Sequence, residues 1–191
     1  MAKQRCIIAP GNHTEYPERE IWYPAVAERL REATKGGEPV FSQVVLRQFP
    51  DWYIGRESVW IPYLRDELQV GVNDVIIGHS TGAIAALRYV TYAETHQVKG
   101  IVLVSAYHTD LGDPDEVEAE YFRQPFNYAA IRDNCTFIIQ YASPNDEFVP
   151  IAEQRYVAEQ LRPEYHEITS RGHCIDDHRF DELVAALLQK M

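Results

Sequence analysis

Short apolar runs rich in Val, Ile and Leu recur along this chain of 191 residues, and amphipathic segments separate them. The stronger runs are nearly continuous instead of alternating between apolar and polar residues. Such runs are typical of parallel strands that helices cover on both faces. The predicted strands, of which the last is the weakest, are Arg5–Ala9, Val40–Leu46, Val72–Ile77, Val98–Ser105, Cys135–Tyr141 and Tyr165–Thr169.

The segments between these runs have the apolar spacing of helices. Ser58 is predicted as the N-cap of the second helix, and Pro62 lies early enough in that helix to be tolerated. The five predicted helices are Trp22–Thr34, Ser58–Leu68, Gly82–His96, Ile151–Leu161 and Asp177–Leu188.

Strands that alternate with helices imply right-handed crossover connections and an open parallel sheet. We therefore predict an α/β fold: a three-layer α/β/α sandwich with a mostly parallel six-stranded sheet, in a single domain over residues 1–191. Ligands of such sheets bind beyond the carboxyl ends of the strands, so chemistry is expected in the residues that follow each run.

Composition narrows the classes of function. The formal net charge is −11 and no Lys/Arg-rich run is present, which argues against binding to nucleic acid or to an anionic membrane surface. No stretch has the length of a membrane span, and the first apolar run is too short for a signal peptide. Cys6, Cys135 and Cys174 have no regular spacing, which argues against disulfides or zinc and predicts a reducing, cytoplasmic setting.

The third run leads into Gly78-x-Ser80-x-Gly82 and then an alanine-rich segment. This order fits a nucleophile elbow, a sharp strand-to-helix turn that holds a serine in a strained conformation. Small residues flank the serine because strand and helix approach closely there. The turn exposes the hydroxyl of Ser80 and directs the backbone N–H of Thr81 towards an oxyanion.

Other glycine-containing loops are the alternatives. A dinucleotide loop needs a third glycine at a set spacing, preferably after the first strand, and a phosphate loop needs Gly-Lys-Ser/Thr. The sequence meets neither requirement, so a plain turn is the remaining alternative to a nucleophilic Ser80.

A nucleophilic serine needs a base, and after an elbow the chain order is serine, acid, histidine. His173 follows the last run in a segment with the flexible Gly172, and it is the predicted base. His178 is its main competitor. His108 follows the fourth run but precedes any later acid.

The acid is expected after the fifth run, in "YASPNDEFVP". Asp146 is the predicted partner of the base, whereas Glu147 can be explained as an acid at the start of the next helix. Asp110 and Asp113, after the fourth run, are a second route, although aspartates in such positions more often serve turns and caps.

The first run ends in Pro10-Gly11-Asn12-His13. An oxyanion hole takes its second backbone N–H from the loop after the first strand, and Asn12 is the predicted donor. The alternatives are an ordinary turn, or an Asn12 side chain that anchors the loop by hydrogen bonding.

With these residues in place, the chain resembles the small α/β-hydrolases of the retinoblastoma-binding-protein-nine type over essentially its whole length. The resemblance rests on "PGN", "RESVWIPYLRDEL", "IIGHSTGAIAALRY", "IVLVSAYHTDLGD", "YFRQPFNYAAIRDNC", "SPNDEFVP" and "GHC". It implies an α/β-hydrolase fold with a minimal lid and Ser80, Asp146 and His173 as a catalytic triad.

Two features depart from that family. Its glycine-rich loop after "PGN" is replaced by the bulkier and more acidic "HTEYPERE", so the substrate entrance is expected to differ. The family's name comes from binding the retinoblastoma protein through an L-x-C-x-E motif. No such motif surrounds the cysteines, and that partner is not expected.

The resulting hypothesis is a serine hydrolase of small esters, thioesters or amides that needs neither metal nor cofactor. Aromatic residues between the fourth and fifth runs either roof the acyl group or pack in the core; they are Tyr121, Phe122, Phe126 and Tyr128. The alternative function is a catalytically idle interaction module on a hydrolase scaffold.

Overall fold

The computed structural model describes residues 4–92, 97–176 and 178–191. The strands are β1 Arg5–Ala9, β2 Thr34–Lys35, β3 Glu38–Pro39, β4 Gln43–Val45, β5 Val75–His79, β6 Val98–Val104, β7 Cys135–Ala142 and β8 Glu164–Glu167. Six of them form one sheet in the order β4-β1-β5-β6-β7-β8, and every adjacent pair is parallel. A separate antiparallel pair joins β2 to β3. The predicted six-stranded α/β sandwich is confirmed.

Helices cover both faces of the sheet. The α-helices are α1 Tyr23–Glu32, α2 Glu57–Pro62, α3 Thr81–Thr91, α4 Pro114–Ala119, α5 Tyr128–Asp133, α6 Ile151–Leu161 and α7 Asp181–Lys190. Helices α1 and α7 bury their apolar side chains against one face, and α2, α3, α5 and α6 do so against the other. No helix in the described parts of the chain is long and apolar enough to cross a membrane.

The continuous apolar runs follow from this double cover. Ile7 and Ile8 are neighbours in β1 and both are fully buried, but Ile7 belongs to the α3 side of the core and Ile8 to the α1 side. Ile76 and Ile77 in β5 divide in the same way. Both faces of the central strands are therefore apolar, which removes the alternation that a half-exposed strand shows.

The second predicted strand is shorter than expected. Only Gln43–Val45 pairs with β1. The β2–β3 hairpin, which was not predicted, ends at Pro39, just before the predicted start of the strand at Val40. Gly36 and Gly37 make its turn with φ values of 63° and 86°, a conformation that favours glycine.

The second predicted helix begins earlier and changes type. It starts at Glu57, so Ser58 lies inside the first turn and the predicted N-cap is wrong; Arg56 holds that position without a side-chain cap. Beyond Pro62 the chain continues as a π-helix over Tyr63–Glu67. The change of type follows the proline, which has no N–H to donate to the preceding turn.

The remaining boundaries shift by a few residues. Helix α3 begins at Thr81, one residue earlier than predicted, and the predicted end at His96 lies outside the described residues. The predicted start of the last helix at Asp177 also lies outside them. Helix α7 begins at Asp181, after Phe180 with a left-handed φ of 45°.

The start of helix α3 lies so close to strand β5 and to the end of strand β1 that two glycines are required. A Cβ atom on Gly78 would lie 2.5 Å from the carbonyl oxygen of Gly82. A Cβ atom on Gly82 would lie 2.2 Å from the carbonyl oxygen of Ala9. Both obstacles are backbone atoms of packed elements, so neither can move aside.

Gly82→Ala is therefore expected to lower the free energy of unfolding by more than about 2 kcal/mol, because overpacking against backbone is not relieved by a rotamer change. Urea denaturation measures the loss. Gly71→Ala is the matched control, since nothing lies within 4 Å of a Cβ atom at Gly71. Equal midpoints for the two variants would contradict the assigned close approach.

Candidate active site

The predicted site residues come together at the carboxyl edge of the sheet. Ser80 follows β5, Asn12 follows β1, and His173 lies in the segment after β8. All three line one cavity of about 730 Å³. Asp146, after β7, lies behind His173 with its side chain fully buried.

Ser80 has the backbone conformation expected of a nucleophile elbow. Its φ of 52° and ψ of −123° lie in a region that residues with side chains rarely occupy. The N–H of Ser80 donates to the carbonyl oxygen of Val104, 2.9 Å away, which fixes the turn to the end of β6. Gly11 packs against the serine, since a Cβ atom on Gly11 would lie 3.4 Å from the Cβ of Ser80.

Thr81 begins helix α3, so its N–H has no partner within the helix and lies at the positive end of the helix dipole. Its hydroxyl Oγ1 donates to Oε1 of Glu116 at 3.0 Å and lies 3.2 Å from Oη of Tyr107. These bonds fasten the segment between β6 and β7 to the start of α3. The sequence analysis assigned no role to Tyr107 or Glu116.

His173 and Asp146 form a close pair. Nδ1 of His173 lies 2.9 Å from each carboxylate oxygen of Asp146. An ionised carboxylate only accepts hydrogen bonds, so Nδ1 carries the proton and Nε2 keeps a free lone pair. This is the tautomer that a general base at Nε2 requires.

The surroundings of Asp146 keep its carboxyl group ionised. The N–H groups of Phe148 and Val149 donate to Oδ1 at 3.0 and 2.9 Å. Burial acts to raise the pKa of Asp146, but the hydrogen bond and charge of His173, with the N–H of Val149, bring that pKa below its ordinary value.

A compact turn presents His173. Gly172 and Cys174 on either side have left-handed φ values of 52° and 59°. The N–H of Cys174 donates to the carbonyl oxygen of Arg171 at 2.8 Å. A Cβ atom on Gly172 would lie 2.9 Å from Oε2 of Glu147, so glycine suits both the φ and the space.

The alternative candidates for the base and the acid lie in other surroundings. His178 is exposed, and His108 pairs through Nδ1 with Glu153 at 2.7 Å. Asp110 accepts a hydrogen bond from the N–H of Gly112, in a turn. Asp113 caps helix α4, and Glu147 is exposed at the edge of the cavity. The catalytic roles of Ser80, Asp146 and His173 stay predictions.

The loop after β1 contains two successive backbone N–H groups beside the cavity, those of Gly11 and Asn12. The N–H of Gly11 donates to Oη of Tyr23 at 3.1 Å, so it is committed to that bond. Asn12 comes next and lines the cavity, and its role as an oxyanion donor stays a prediction. His13 pairs through Nε2 with Asp115 of α4 at 2.9 Å, which links the "HTEYPERE" segment to the far side of the cavity.

His79 is buried beside the site. Its Nδ1 lies 2.6 Å from Oη of Tyr23, and its Nε2 lies 2.9 Å from the carbonyl oxygen of His173. Burial, assisted by the neighbouring His173, lowers the pKa of His79 to about 3. The ring is therefore neutral at physiological pH. Sequence reasoning did not foresee the hydrogen-bond partners of His79.

The roof of the cavity differs from the aromatic one considered above. Tyr121 and Phe126 are buried in the core, and Phe126 packs beneath the guanidinium of Arg88. Within the same insert, the residues that line the cavity beside Ser80 are Tyr107, Leu111, Gly112, Asp113, Pro114, Asp115 and Glu116. Within the described parts of the chain, no three His, Cys, Asp or Glu side chains are grouped as metal ligands.

This parallel sheet with helices on both faces has the α/β-hydrolase fold, and solved structures share it. The ydeN gene product of B. subtilis superposes with a TM-score of 0.81 at 21% identity, over 99% of this chain and 98% of that one. Est1E from Butyrivibrio proteoclasticus gives a TM-score of 0.68 at 16% identity, over 98% and 88% of the two chains.

The family follows from sequence. The model of the serine hydrolase family matches residues 39–189, and the chain belongs to that family. Serine hydrolase RBBP9 of Rattus norvegicus is 41% identical over 180 residues, which cover 94% of this chain and 91% of the relative. The protein is a hydrolase, and the resemblance found from its motifs is confirmed.

Neutral, buried His79 makes stability depend on pH. An unfolded histidine takes up a proton at about pH 6.5, whereas His79 in the folded protein does so only at about pH 3. The unfolded state therefore binds more protons in this window, and stability falls as pH falls, by at most about 1.4 kcal/mol per pH unit from this one group.

His79→Gln removes the titrating ring, so its free energy of unfolding should change less between pH 6.5 and pH 4 than that of the parent. Urea denaturation across this range provides the comparison. Acidic residues titrate in both proteins and cancel in the difference. Parallel pH profiles would show that His79 is not held neutral by burial.

Proposed function

We propose that the protein hydrolyses small esters, thioesters or amides through an acyl-enzyme, with Ser80 as nucleophile, His173 as general base and Asp146 as its orienting acid. The observation that carries the proposal is the His173–Asp146 pair, in which Nδ1 contacts both carboxylate oxygens at 2.9 Å. The pair assigns the proton to Nδ1, which leaves Nε2 as the accepting nitrogen of the ring, and His173 and Ser80 line the same cavity. Membership of the serine hydrolase family supports the same chemistry.

The first half-reaction forms the acyl-enzyme. Nε2 of His173 takes the hydroxyl proton of Ser80 as Oγ attacks the substrate carbonyl carbon. Asp146 stabilises the imidazolium that results. The tetrahedral intermediate collapses, the bond to the leaving group breaks, and His173 returns the proton to that group.

The second half-reaction releases the acid. A water molecule attacks the acyl carbon while His173 accepts its proton, and the acyl bond to Ser80 breaks as His173 protonates Oγ. In both halves the backbone N–H groups of Thr81 and Asn12 bind the oxyanion. Each such donor contributes a factor of about 10²–10³ in rate in hydrolases of this kind.

The cavity favours small substrates that do not carry negative charge. Its volume of about 730 Å³ accommodates a ligand of modest size. Leu111, Phe148, Val149 and Ile175 supply apolar lining for an acyl or leaving group. Among the residues that the structure describes, the lining has no Lys or Arg and includes five acidic residues: Glu20, Asp113, Asp115, Glu116 and Glu147.

Ser80→Ala and His173→Ala should each lower kcat/KM on a panel of acyl-nitrophenyl esters and aminoacyl amides by about 10³-fold or more, because each removes a member of one catalytic unit. Ser80→Ala should also abolish labelling by a fluorophosphonate probe. Ser42→Ala is the matched control, since Ser42 is an exposed serine bonded to the carbonyl oxygen of Gln4. Unchanged labelling of Ser80→Ala would refute the nucleophile.

An anionic substrate should react more slowly than its neutral counterpart. We expect ortho-nitrophenyl butyrate to be hydrolysed about 10-fold faster than the same ester with a carboxylate on its ring, because the acidic cavity repels the added charge. Raising the salt concentration should narrow the gap through screening. Equal kcat/KM for the two esters at low salt would count against an electrostatic effect of the lining residues.

A further inference from the structure

Tyr23 and His79 form a continuous hydrogen-bonded link between the two loops on either side of Ser80. The N–H of Gly11 lies 3.1 Å from Oη of Tyr23, which lies 2.6 Å from Nδ1 of His79. Nε2 of His79 lies 2.9 Å from the carbonyl oxygen of His173. The link begins in the loop after β1 and ends on the main chain of the proposed base.

The direction of every bond in this link is fixed by chemistry. The carbonyl oxygen of His173 only accepts, so Nε2 of His79 carries the proton. The neutral ring then has an accepting Nδ1, and the hydroxyl of Tyr23 donates to it. The N–H of Gly11 only donates, and it occupies a lone pair of Oη. Each donor and acceptor has one assignment, so the link has a single proton arrangement.

Burial makes the link costly to break. Tyr23 is 1% exposed and His79 is 3% exposed, so water has little access to replace a lost partner. A buried polar group without a partner is strongly unfavourable. The ring of Trp22 packs edge-on against Tyr23 and His79, at centroid distances of 4.6 and 5.7 Å. The link is therefore held rigidly as well as shielded.

The two ends of the link carry different parts of the proposed machinery. Gly11 directly precedes Asn12, the proposed oxyanion donor, and packs against Ser80. His173 is the proposed base. His79 directly precedes Ser80, so the link passes beside the nucleophile. Its two ends are main-chain groups, the N–H of Gly11 and the carbonyl oxygen of His173.

We propose that Tyr23 and His79 are positioning residues that hold the oxyanion loop and the loop of His173 in fixed register across Ser80. The proposal rests on the proposed function. Both residues border the cavity, but their polar atoms are engaged in the link. Tyr23 acts by fixing the N–H of Gly11, next to Asn12, and His79 acts by fixing the carbonyl oxygen of His173. Loss of either residue loosens both loops together, which lowers the rate of the chemical steps more than it weakens substrate binding.

The kinetic test compares Tyr23→Phe, His79→Leu and His79→Gln with the parent on a neutral ester. Tyr23→Phe and His79→Leu should lower kcat about 10-fold while KM changes less than about 3-fold, as expected when transition-state interactions are lost. His79→Gln keeps a side-chain N–H that can donate to the carbonyl oxygen of His173, so it should recover part of the loss. It also serves if His79→Leu does not fold.

Tyr89→Phe is the matched control. Tyr89 is also 1% exposed, and its hydroxyl donates to the carbonyl oxygen of Val70 at 2.7 Å, away from the cavity. This variant should lose stability but keep the parent kcat. If Tyr23→Phe and His79→Leu behave like Tyr89→Phe, with lower stability and unchanged kcat, the proposal is overturned.

A second readout does not depend on turnover. Hydrogen exchange followed by mass spectrometry should show that Tyr23→Phe speeds amide exchange both in the peptide with Gly11 and in the peptide with His173, whereas Tyr89→Phe affects neither. Faster exchange in the Gly11 peptide alone would overturn the link. Failure of the proposed function has a separate signature, because Ser80→Ala would then hydrolyse the ester at the parent rate.

Discussion

The close crossing of helix α3 with strand β5 and the end of strand β1 is the constraint on which the rest of the site depends. Gly78 and Gly82 permit backbone contact that any Cβ atom would prevent. With the crossing in place, the chain has one residue in which to turn, and Ser80 takes the strained φ of 52°. The same turn exposes the N–H of Thr81 at the start of α3 and sends the side chain of His79 into the core.

The parallel sheet brings the other segments of the site to the same edge as Ser80. Since all six strands run in the same direction, the segments after β1, β5, β7 and β8 emerge at one edge. Each contributes at least one group that the proposed mechanism uses, and the segment after β5 contributes both the hydroxyl of Ser80 and the N–H of Thr81. Because the central strands are buried on both faces, this edge is a rigid base for the loops. The loops are then adjusted by hydrogen bonds between buried side chains and main chain.

Electrostatic preorganisation is concentrated at two buried groups. Asp146 stays ionised because His173 and backbone N–H groups donate to it, which outweighs the effect of burial on its pKa. His79 stays neutral because burial lowers its pKa. Two titratable residues of one site are thus held in opposite charge states. The ionised Asp146 is suited to stabilising an imidazolium, and the neutral His79 is suited to a fixed pattern of hydrogen bonds.

Much of this organisation could be predicted from the sequence because its signals are local. Continuous apolar runs revealed the strands, and the residues that follow them included Ser80, Asp146 and His173. The hairpin before β4 and the π-helix after Pro62 were not predicted. Their residues give weaker sequence signals than the apolar run and the helical spacing beside them. His79 is separated along the chain from Tyr23 by 56 positions and from His173 by 94 positions, so no local sequence pattern indicates these hydrogen bonds. The bond from Thr81 to Glu116 was missed for the same reason.

The most direct measurement of the central claim is to stop turnover of a slowly deacylating ester with acid and locate the acyl group by peptide mass spectrometry. The account predicts a mass increase equal to the acyl group on the peptide that contains Ser80, and its disappearance once the substrate is exhausted. An acyl group on another residue, or continued hydrolysis with no acylated peptide, would contradict it.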